Sequence, residues 1–578
     1  MAVVATAGHV DHGKSTLVRA LTGIEPDRWA EEKRRGMTLD LGFAWTTLPS
    51  GRDLAFVDVP GHERFVPTML AGAGPVPAVV LVVAADEGWK PQSAEHLAAL
   101  DALGVRHGLL VVTRSDLADP APATAQAFEA LDATSLRGIP SVVVSATTGA
   151  GMAELRQALD DLVAGLPAPL RDAPVRFWVD RAFTIRGAGT VVTGTLGAGT
   201  VRVGDEFEVA PSGRRVIVRG VQADGRDLEV AYPVTRVALN LRGVTPDDVA
   251  RGQALVTPGA WTAGAELDVR LDRAVPRLPA EATLHIGAAA VPARLRPIGD
   301  DLVRLMLDRS LPWHVGDVAL LRDPGAHEVL AGVTVLDPSP PSLRPRGEAK
   351  RRTTELALTA GPDRSDELRR RGLVRTDVLR ALGVDTGSAD EIAPGWQASE
   401  EFVRSVKARI AELVRIADDV AGGVPAEELR ERTGLPDTAL LRALVLPPYE
   451  FADGRVRVAG AAVAPAVVAG VARVIDPKRG FAAPEAAALV AAGLGPRELA
   501  AAVRAGLLEK VADGVYLAAG TTDTAAGPLR RLPQPFTAAE AKTAWGTTRR
   551  VAMPLLETLA ARGVTVRTDD GRHRLRSL

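Results

Sequence analysis

Apolar residues fall into three rhythms along the chain, and the changes of rhythm divide it. In the first 166 residues, unbroken apolar runs alternate with helix-like stretches. Residues 3–7, 54–59, 79–84, 108–113 and 141–145 read as buried parallel strands, because strands covered on both faces need no polar side. Residues 14–21 and 92–103 carry helical periodicity between them. This alternation predicts a doubly wound α/β domain over residues 1–170. From 175 to about 338 the runs shorten and alternate in polarity, as in VRFWVDRAFTIRG, TVVTGTLGAG, RVALNLRG and LVRLML, with Gly, Pro and Asp between them. Even spacing of this kind predicts β-barrels. The length suits two, over 175–258 and 259–340.

After the linker DPSPPSLRPRG the pattern becomes helices with short hairpins. Asp453-Gly454, Asp513-Gly514 and Asp570-Gly571 each follow a helical stretch and precede a strand-like run. Their spacing is about sixty residues, the size of one compact module. Gly395-Trp396 is a fainter fourth member. The expectation is a row of winged-helix (α+β) modules at 345–402, 403–460, 461–520 and 521–578.

Composition narrows the field. A chain of 578 residues exceeds what one core supports. The net charge of −2 gives no overall pull on nucleic acid, so any RNA contact needs a local basic patch. With no cysteine, a disulfide framework, a cysteine nucleophile and a thiolate metal site are excluded, which fits a cytoplasmic protein. The apolar stretch at 459–474 is broken by Pro465 and Arg473 and reads as a soluble helix, so no membrane partner is expected. A functional loop occupies the N-terminus where a signal peptide would need its basic start.

That loop, Gly8-His9-Val10-Asp11-His12-Gly13-Lys14-Ser15, has the spacing G-x-x-x-x-G-K-S between a strand and a helix. Backbone amides of Asp11, His12, Gly13 and Thr16, with the helix N-terminus, make a phosphate cradle. Lys14 reaches the β- and γ-phosphates, and the Ser15 hydroxyl suits Mg²⁺. Asp58-Val59-Pro60-Gly61 ends a later strand. Asp58 can hold Mg²⁺, Gly61 can present its amide to the γ-phosphate, and Thr38 can ligate Mg²⁺ while that phosphate remains. Thr113-Arg114-Ser115-Asp116 follows another strand. There Asp116 can accept two hydrogen bonds from guanine, which adenine would leave unpaired. Ser145-Ala146 offers a backbone amide to the guanine oxygen. His62 is assigned to orienting the attacking water, against the plainer reading of a loop histidine. His9 and His12 are expected to pack around the loop. GTP or GDP with Mg²⁺ is the implied cofactor set, and GTP hydrolysis the implied reaction.

The motifs GHVDHGKS, RGMT, DVPGHE and SA resemble those of translational GTPases. DRWAEEKRRGMTLDLGF, Asp180-Arg181-Ala182-Phe183 and GAGTVVTGTL extend the resemblance to selenocysteine-specific elongation factors, which are elongation factor Tu-like. Thr113 departs from the general NKxD pattern and resembles the selenocysteine-specific branch. The resemblance implies a multidomain fold: an α/β P-loop GTPase domain, two β-barrels and the winged-helix array. It implies delivery of selenocysteinyl-tRNA to the ribosome at recoded UGA codons by a monomer needing no exchange factor. It also implies an aminoacyl pocket at Asp180, Arg181 and Arg236, where arginines pair with a selenolate and a seryl hydroxyl leaves them poorly satisfied. The plainer reading is a structural ion pair between Asp180 and one arginine.

In the last module Lys542, Arg549, Arg550, Arg562, Arg567, Arg572, Arg574 and Arg576 outnumber nearby acids. Lys542, Arg549, Arg550, Arg572 and Arg574 are the candidate RNA contacts, while Trp545 reads as core. The resemblance makes this patch the site for an mRNA hairpin, the selenocysteine insertion sequence (SECIS). Two other readings stay open: a general tRNA carrier or initiation-type factor, and a GTP-regulated nucleic-acid-binding regulator acting off the ribosome.

Overall fold

A computed structural model of the protein describes residues 2–26, 38, 40–62, 65–74, 76–187, 189–326, 328–344, 347–387, 391–421, 423–459, 463 and 465–576. The whole loop DRWAEEKRRGM and Glu63 of the DVPGHE motif lie outside them. The chain forms two compact units, Met1–Ala389 and Asp390–Leu578.

The first unit opens with a six-stranded sheet made of β1 (Ala2–Ala7), β2 (Gly42–Thr47), β3 (Asp53–Asp58), β4 (Ala78–Ala84), β5 (His107–Thr113) and β6 (Ser141–Val143). Its order is β2-β3-β1-β4-β5-β6. The five predicted strands pair in parallel, with β1, β4 and most of β3 and β5 fully buried. The sequence reading missed β2, which runs antiparallel to β3 at the sheet edge. Its second half, Trp45-Thr46-Thr47, is partly exposed, so it lacks the unbroken apolar run of its neighbours. Helices α1 (Lys14–Thr22), α2 (Val66–Ala73), α3 (Pro91–Ala102), α4 (Ala121–Leu131) and α5 (Met152–Gly165) complete the domain. The loops after β1, β3, β5 and β6 converge at the carboxyl ends of the parallel strands, where α/β sheets bind ligands.

Next come β7 (Arg176–Trp178), β8 (Arg181–Ile185) and β9 (Gly189–Leu196). They belong to an eight-stranded antiparallel sheet that wraps around Phe177, Val192, Phe207, Val218, Leu239 and Leu255. Register fixes one functional neighbourhood. Arg181 of β8 stands opposite Thr193 of β9, and Arg236 of the strand Thr235–Arg242 stands opposite Thr195. Residues two apart on β9 share a face, so both arginines emerge on the same side.

Six strands from Thr262–Leu271 to Val329–Asp337 then close into a second barrel around Leu284, Leu305, Trp313, Leu321 and Val333. Helices Glu348–Leu356 and Arg364–Arg371 lock onto it through buried charge. Asp268 takes Arg304 at 2.6 Å and Arg352 at 2.7 Å, and Asp337 takes Arg352 at 2.5 Å and Arg371 at 2.7 Å. Burial alone would raise the Asp337 carboxyl, but Arg371, Arg352 and Arg370 outweigh it and hold it below the usual carboxylate range.

The second unit contains helix groups that each end in a hairpin. The hairpins are Tyr449–Ala452 with Arg455–Val458, Leu508–Ala512 with Val515–Ala518, and Thr565–Arg567 with His573–Leu575. Each turn carries one of the Asp-Gly pairs, with Gly454, Gly514 and Gly571 at φ +73°, +71° and +80°. That backbone region costs glycine little.

Candidate functional site

The nucleotide-type loop is shaped by what cannot be there. A Cβ on Gly8 would lie 2.2 Å from the Val82 carbonyl oxygen, so only glycine lets the loop pass over β4. A Cβ on Gly61 would lie 2.5 Å from both the Lys14 Nζ and the Val10 amide nitrogen, so the loop after β3 closes directly on the first loop. Lys14 Nζ donates to the carbonyls of Gly8 at 3.0 Å and His9 at 2.7 Å.

The oxygens of Ser15, Thr38 and Asp58 come together. Ser15 Oγ donates to Asp58 Oδ2 at 2.6 Å and lies 3.0 Å from Thr38 Oγ1. Thr6 Oγ1 donates to the other Asp58 oxygen at 2.7 Å. Burial pushes the Asp58 carboxyl above its usual range, against the two hydroxyl hydrogen bonds and Lys14. An all-oxygen set with one buried carboxylate fits a hard divalent cation such as Mg²⁺, whose charge would offset that cost.

A cavity of about 720 Å³ opens beside these groups. Of the expected nucleotide residues, Asp11, Gly13, Lys14, Ser15, Thr16, Gly61, Thr113, Arg114, Asp116 and Ala146 line it, as does Thr38. His12, Asp58, His62 and Ser145 do not line it. The Ser145 hydroxyl accepts from the Thr148 amide and shapes the last loop. His62 is half-buried, its ring 6.0 Å from that of Phe65. His12 is buried under the loop, its Nδ1 3.3 Å from the Val82 carbonyl, and burial lowers its pKa to about 4. Thr113 ties the loop after β5 to the first loop, its hydroxyl donating to the His12 carbonyl at 2.8 Å. Arg114 is anchored by Asp86 and Glu87, each at 3.0 Å.

Two supports lay outside the sequence reading. Gln92 Oε1 accepts from the Val10 amide and His96 Nδ1 from the Gly8 amide, both at 3.1 Å and both from α3. Burial lowers the His96 pKa to about 3, which keeps that nitrogen an acceptor. Nothing in the local pattern of a helix far along the chain marks either residue. Thr6 did leave a signal, a hydroxyl at the end of an otherwise apolar strand.

The structure pairs Asp180 with Arg236, and Arg181 shares a cavity with Arg236. Arg236 chelates Asp180 with both terminal nitrogens, one at 2.8 Å, and Thr193 Oγ1 donates to the same carboxylate at 2.7 Å. Arg181 instead reaches the α/β domain, bonding Asp40 Oδ2 and the Leu41 carbonyl, each at 2.7 Å. Phe43 lies beneath both guanidinium groups, 4.0 Å from Arg236 and 5.3 Å from Arg181. With Thr193 and Gln222 they line a cavity of about 320 Å³. The expectation that a neutral ligand leaves both arginines poorly satisfied needs correction, because each already holds a carboxylate.

In the last module Trp545 is buried and its Nε1 donates to the Ala525 carbonyl at 2.9 Å. Arg549, Arg572 and Arg574 are exposed, and Lys542 is half-buried. Arg572 lies 3.7 Å from Asp570. Arg550 is occupied differently. It donates to the carbonyls of Gly514, Ala483 and Pro484 at 3.0–3.2 Å and pairs with Glu485 at 3.3 Å. It thus clasps the preceding helix group, whose hairpin residues Val515 and Leu517 share a core with Trp545 and Leu555.

Comparison with known proteins agrees with this layout. Residues 1–164 match the elongation factor Tu GTP binding domain, and 189–256 match elongation factor Tu domain 2. Residues 271–342 match the beta-barrel domain of selenocysteine-specific elongation factor, and 529–574 the winged helix of elongation factor SelB. The selenocysteine-specific elongation factor of Desulfomicrobium baculatum is 36% identical over 62% of this chain and 60% of its own length. That of Escherichia coli K12 is 38% identical over 60% and 57%. These alignments therefore span less than two thirds of the relatives they match. The crystal structure of a bacterial selenocysteine-specific elongation factor, EF-Sec, superposes over 100% of both chains with a TM-score of 0.74 and 27% identity. SelB of Methanococcus maripaludis in complex with the GTP analogue GppNHp covers 60% of this chain and 80% of its own, at TM-score 0.52 and 25% identity. The chain belongs to the selenocysteine-specific elongation factors, a branch of the elongation factor Tu-like translational GTPases.

Proposed function

We propose that the protein is a GTP-dependent translation elongation factor that delivers selenocysteinyl-tRNA to the ribosomal A site at recoded UGA codons. Its last winged-helix module, residues 521–578, takes the SECIS hairpin of the message, and the module bounds at 345–402, 403–460 and 461–520 remain part of the same reading. It acts as a monomer in the cytoplasm; among the described residues no helix is long and apolar enough to cross a membrane.

The observation that carries the reading is the 720 Å³ cavity where Lys14, Ser15, Thr38 and Asp116 converge. Backbone amides at Asp11–Thr16 and the Lys14 ammonium hold the phosphates, while Asp116 and the Ala146 amide take the guanine edge. Ser15, Thr38 and Asp58 would hold Mg²⁺, which neutralises charge on the phosphoryl group when bound. His62 orients a water for attack on the γ-phosphorus, the bond to the β-phosphate oxygen breaks, and GDP and phosphate leave. For this His62 must turn toward the cavity on the ribosome. While the γ-phosphate is present, Thr38 and Gly61 stay seated and the tRNA is clasped; its loss lets them go. Tethering the hairpin reader to the tRNA carrier raises the local tRNA concentration at the codon.

Selenocysteinyl-tRNA is expected to bind more tightly than seryl-tRNA in the presence of a non-hydrolysable GTP analogue, measured by fluorescence titration. Equal affinities would remove the proposed cargo. His62→Ala should keep GTP binding and lose ribosome-stimulated hydrolysis, and undiminished stimulated turnover would remove that residue from the scheme.

A further inference from the structure

The aminoacyl pocket and the nucleotide cavity share one short segment of chain. Thr38 sits 3.0 Å from Ser15 in the nucleotide cavity. Two residues on, Asp40 holds Arg181 of the barrel at 2.7 Å, and the Leu41 carbonyl takes the same Arg181 nitrogen at 2.7 Å. Phe43, from the strand that follows, carries both pocket guanidinium groups. Three residues of the α/β domain, Asp40, Leu41 and Phe43, thus hold the arginine side of a pocket whose frame belongs to the barrel.

The pocket's two arginines are not equivalent. Arg236 spends both terminal nitrogens on Asp180, a partner from its own barrel that no loop movement removes. Arg181 has its terminal nitrogen fixed from outside the barrel, and its buried Nε has no acceptor among the described residues. A buried donor without a partner is costly unless a ligand supplies one. A long arginine side chain also loses rotamer freedom when it is fixed, so an arginine already aimed binds an anion at lower cost.

We propose that Asp40 is a positioning residue that couples the nucleotide to the cargo: two residues from Thr38, it fixes the Arg181 guanidinium at the cavity that takes the selenolate of selenocysteinyl-tRNA. When Thr38 leaves Ser15, Asp40 withdraws with it, Arg181 regains its freedom, and the pocket loses its grip on the anion. Asp40 lines neither cavity. This rests on the aminoacyl reading of the pocket given above, and it assigns the coupling to one carboxylate.

The test is selenocysteinyl-tRNA affinity for the full-length protein, with a non-hydrolysable GTP analogue and with GDP, for wild type, Asp40→Asn and Asp40→Glu. Asp40→Asn should weaken binding about tenfold with the analogue and leave the GDP value unchanged, contracting the ratio between the two states. Asp40→Glu should restore most of that ratio. Seryl-tRNA, which brings no anion, should respond little to either change. A mere structural role would lower affinity in both nucleotide states and for both tRNAs alike, and that outcome overturns the proposal. So does an unchanged ratio in Asp40→Asn with wild-type preference for selenocysteinyl-tRNA intact. If wild type itself shows no such preference, the aminoacyl reading fails first and takes this inference with it.

Discussion

The two cavities of the first unit surround their cations differently. Lys14 lines the first cavity and donates to the carbonyls of Gly8 and His9. The guanidinium groups of the second cavity rest on carboxylates, Arg236 on Asp180 and Arg181 on Asp40. A phosphate that enters the first cavity gains a charge-assisted bond to Lys14. A cation already paired with a carboxylate offers less. The first cavity is therefore built for strong anion capture, and the second for shape and for the modest preference that a positioned Arg181 can add.

The largest expected effect tests whether Asp180 and Arg236 are a fixed frame. Side chains 5% and 13% exposed make this pair nearly buried, and removing one partner strands the other charge. Asp180→Ala should destabilise the first unit by about 3–5 kcal/mol, read from chemical denaturation. Adding Arg236→Met should recover much of that loss. A single variant as stable as wild type would make the pair incidental and return Arg236 to the anion. Next in size, Lys14→Met should weaken GTP binding by about 3 kcal/mol, more than a hundredfold, with little change in folding stability. A smaller loss there than at Arg181 would invert the comparison.

The contrast also explains what could be read from the sequence. The first cavity is mostly contiguous: one loop after β1 and short motifs after β3, β5 and β6 supply Gly13, Lys14, Ser15, Gly61 and Asp116, and backbone does much of the work. Parallel strands announce themselves as apolar runs, and Asp-Gly turns mark the three hairpins of the tail. The second cavity joins Asp180 to Arg236 through sheet register, which no periodicity reveals, and its link to Asp40 crosses domains. Gln92 and His96 reach the first loop from a helix some eighty residues away. The Asp268–Arg304–Arg352–Asp337 cluster is likewise assembled by barrel closure. Long-range pairings were the blind spot, and local backbone chemistry was the legible part.

Two histidines buried beneath the first cavity stay neutral, and this has a pH signature. His12 and His96 titrate near 4 and 3 when folded because burial disfavours their charged forms. Unfolded, each titrates near 6.5. The unfolded chain therefore binds more protons between those values, and stability falls as pH drops below 6.5. Between pH 7 and pH 5 each histidine should cost about 2 kcal/mol. His96→Gln removes one such titration, so its denaturation midpoint should decline less steeply over that range than that of wild type. Parallel pH profiles would mean that His96 carries a proton in the native fold.

The smallest effect moves the comparison into the tail, where two adjacent arginines repeat it. Arg549 is exposed and makes no ion pair among the described residues, whereas Arg550 is fixed on three carbonyls and Glu485. If a cation already paired with a carboxylate contributes little to anion capture, Arg550, held by Glu485, should add little and Arg549 should act on RNA phosphate. Arg549→Ala should weaken hairpin binding a few-fold and reduce the salt slope by about one. Arg550→Ala should leave that slope unchanged and instead loosen the junction with the preceding helix group, lowering the melting temperature of the tail. Equal loss of slope in the two variants would show that Arg550 leaves its carbonyls to meet RNA, and pairing within the protein would then no longer predict which cations bind.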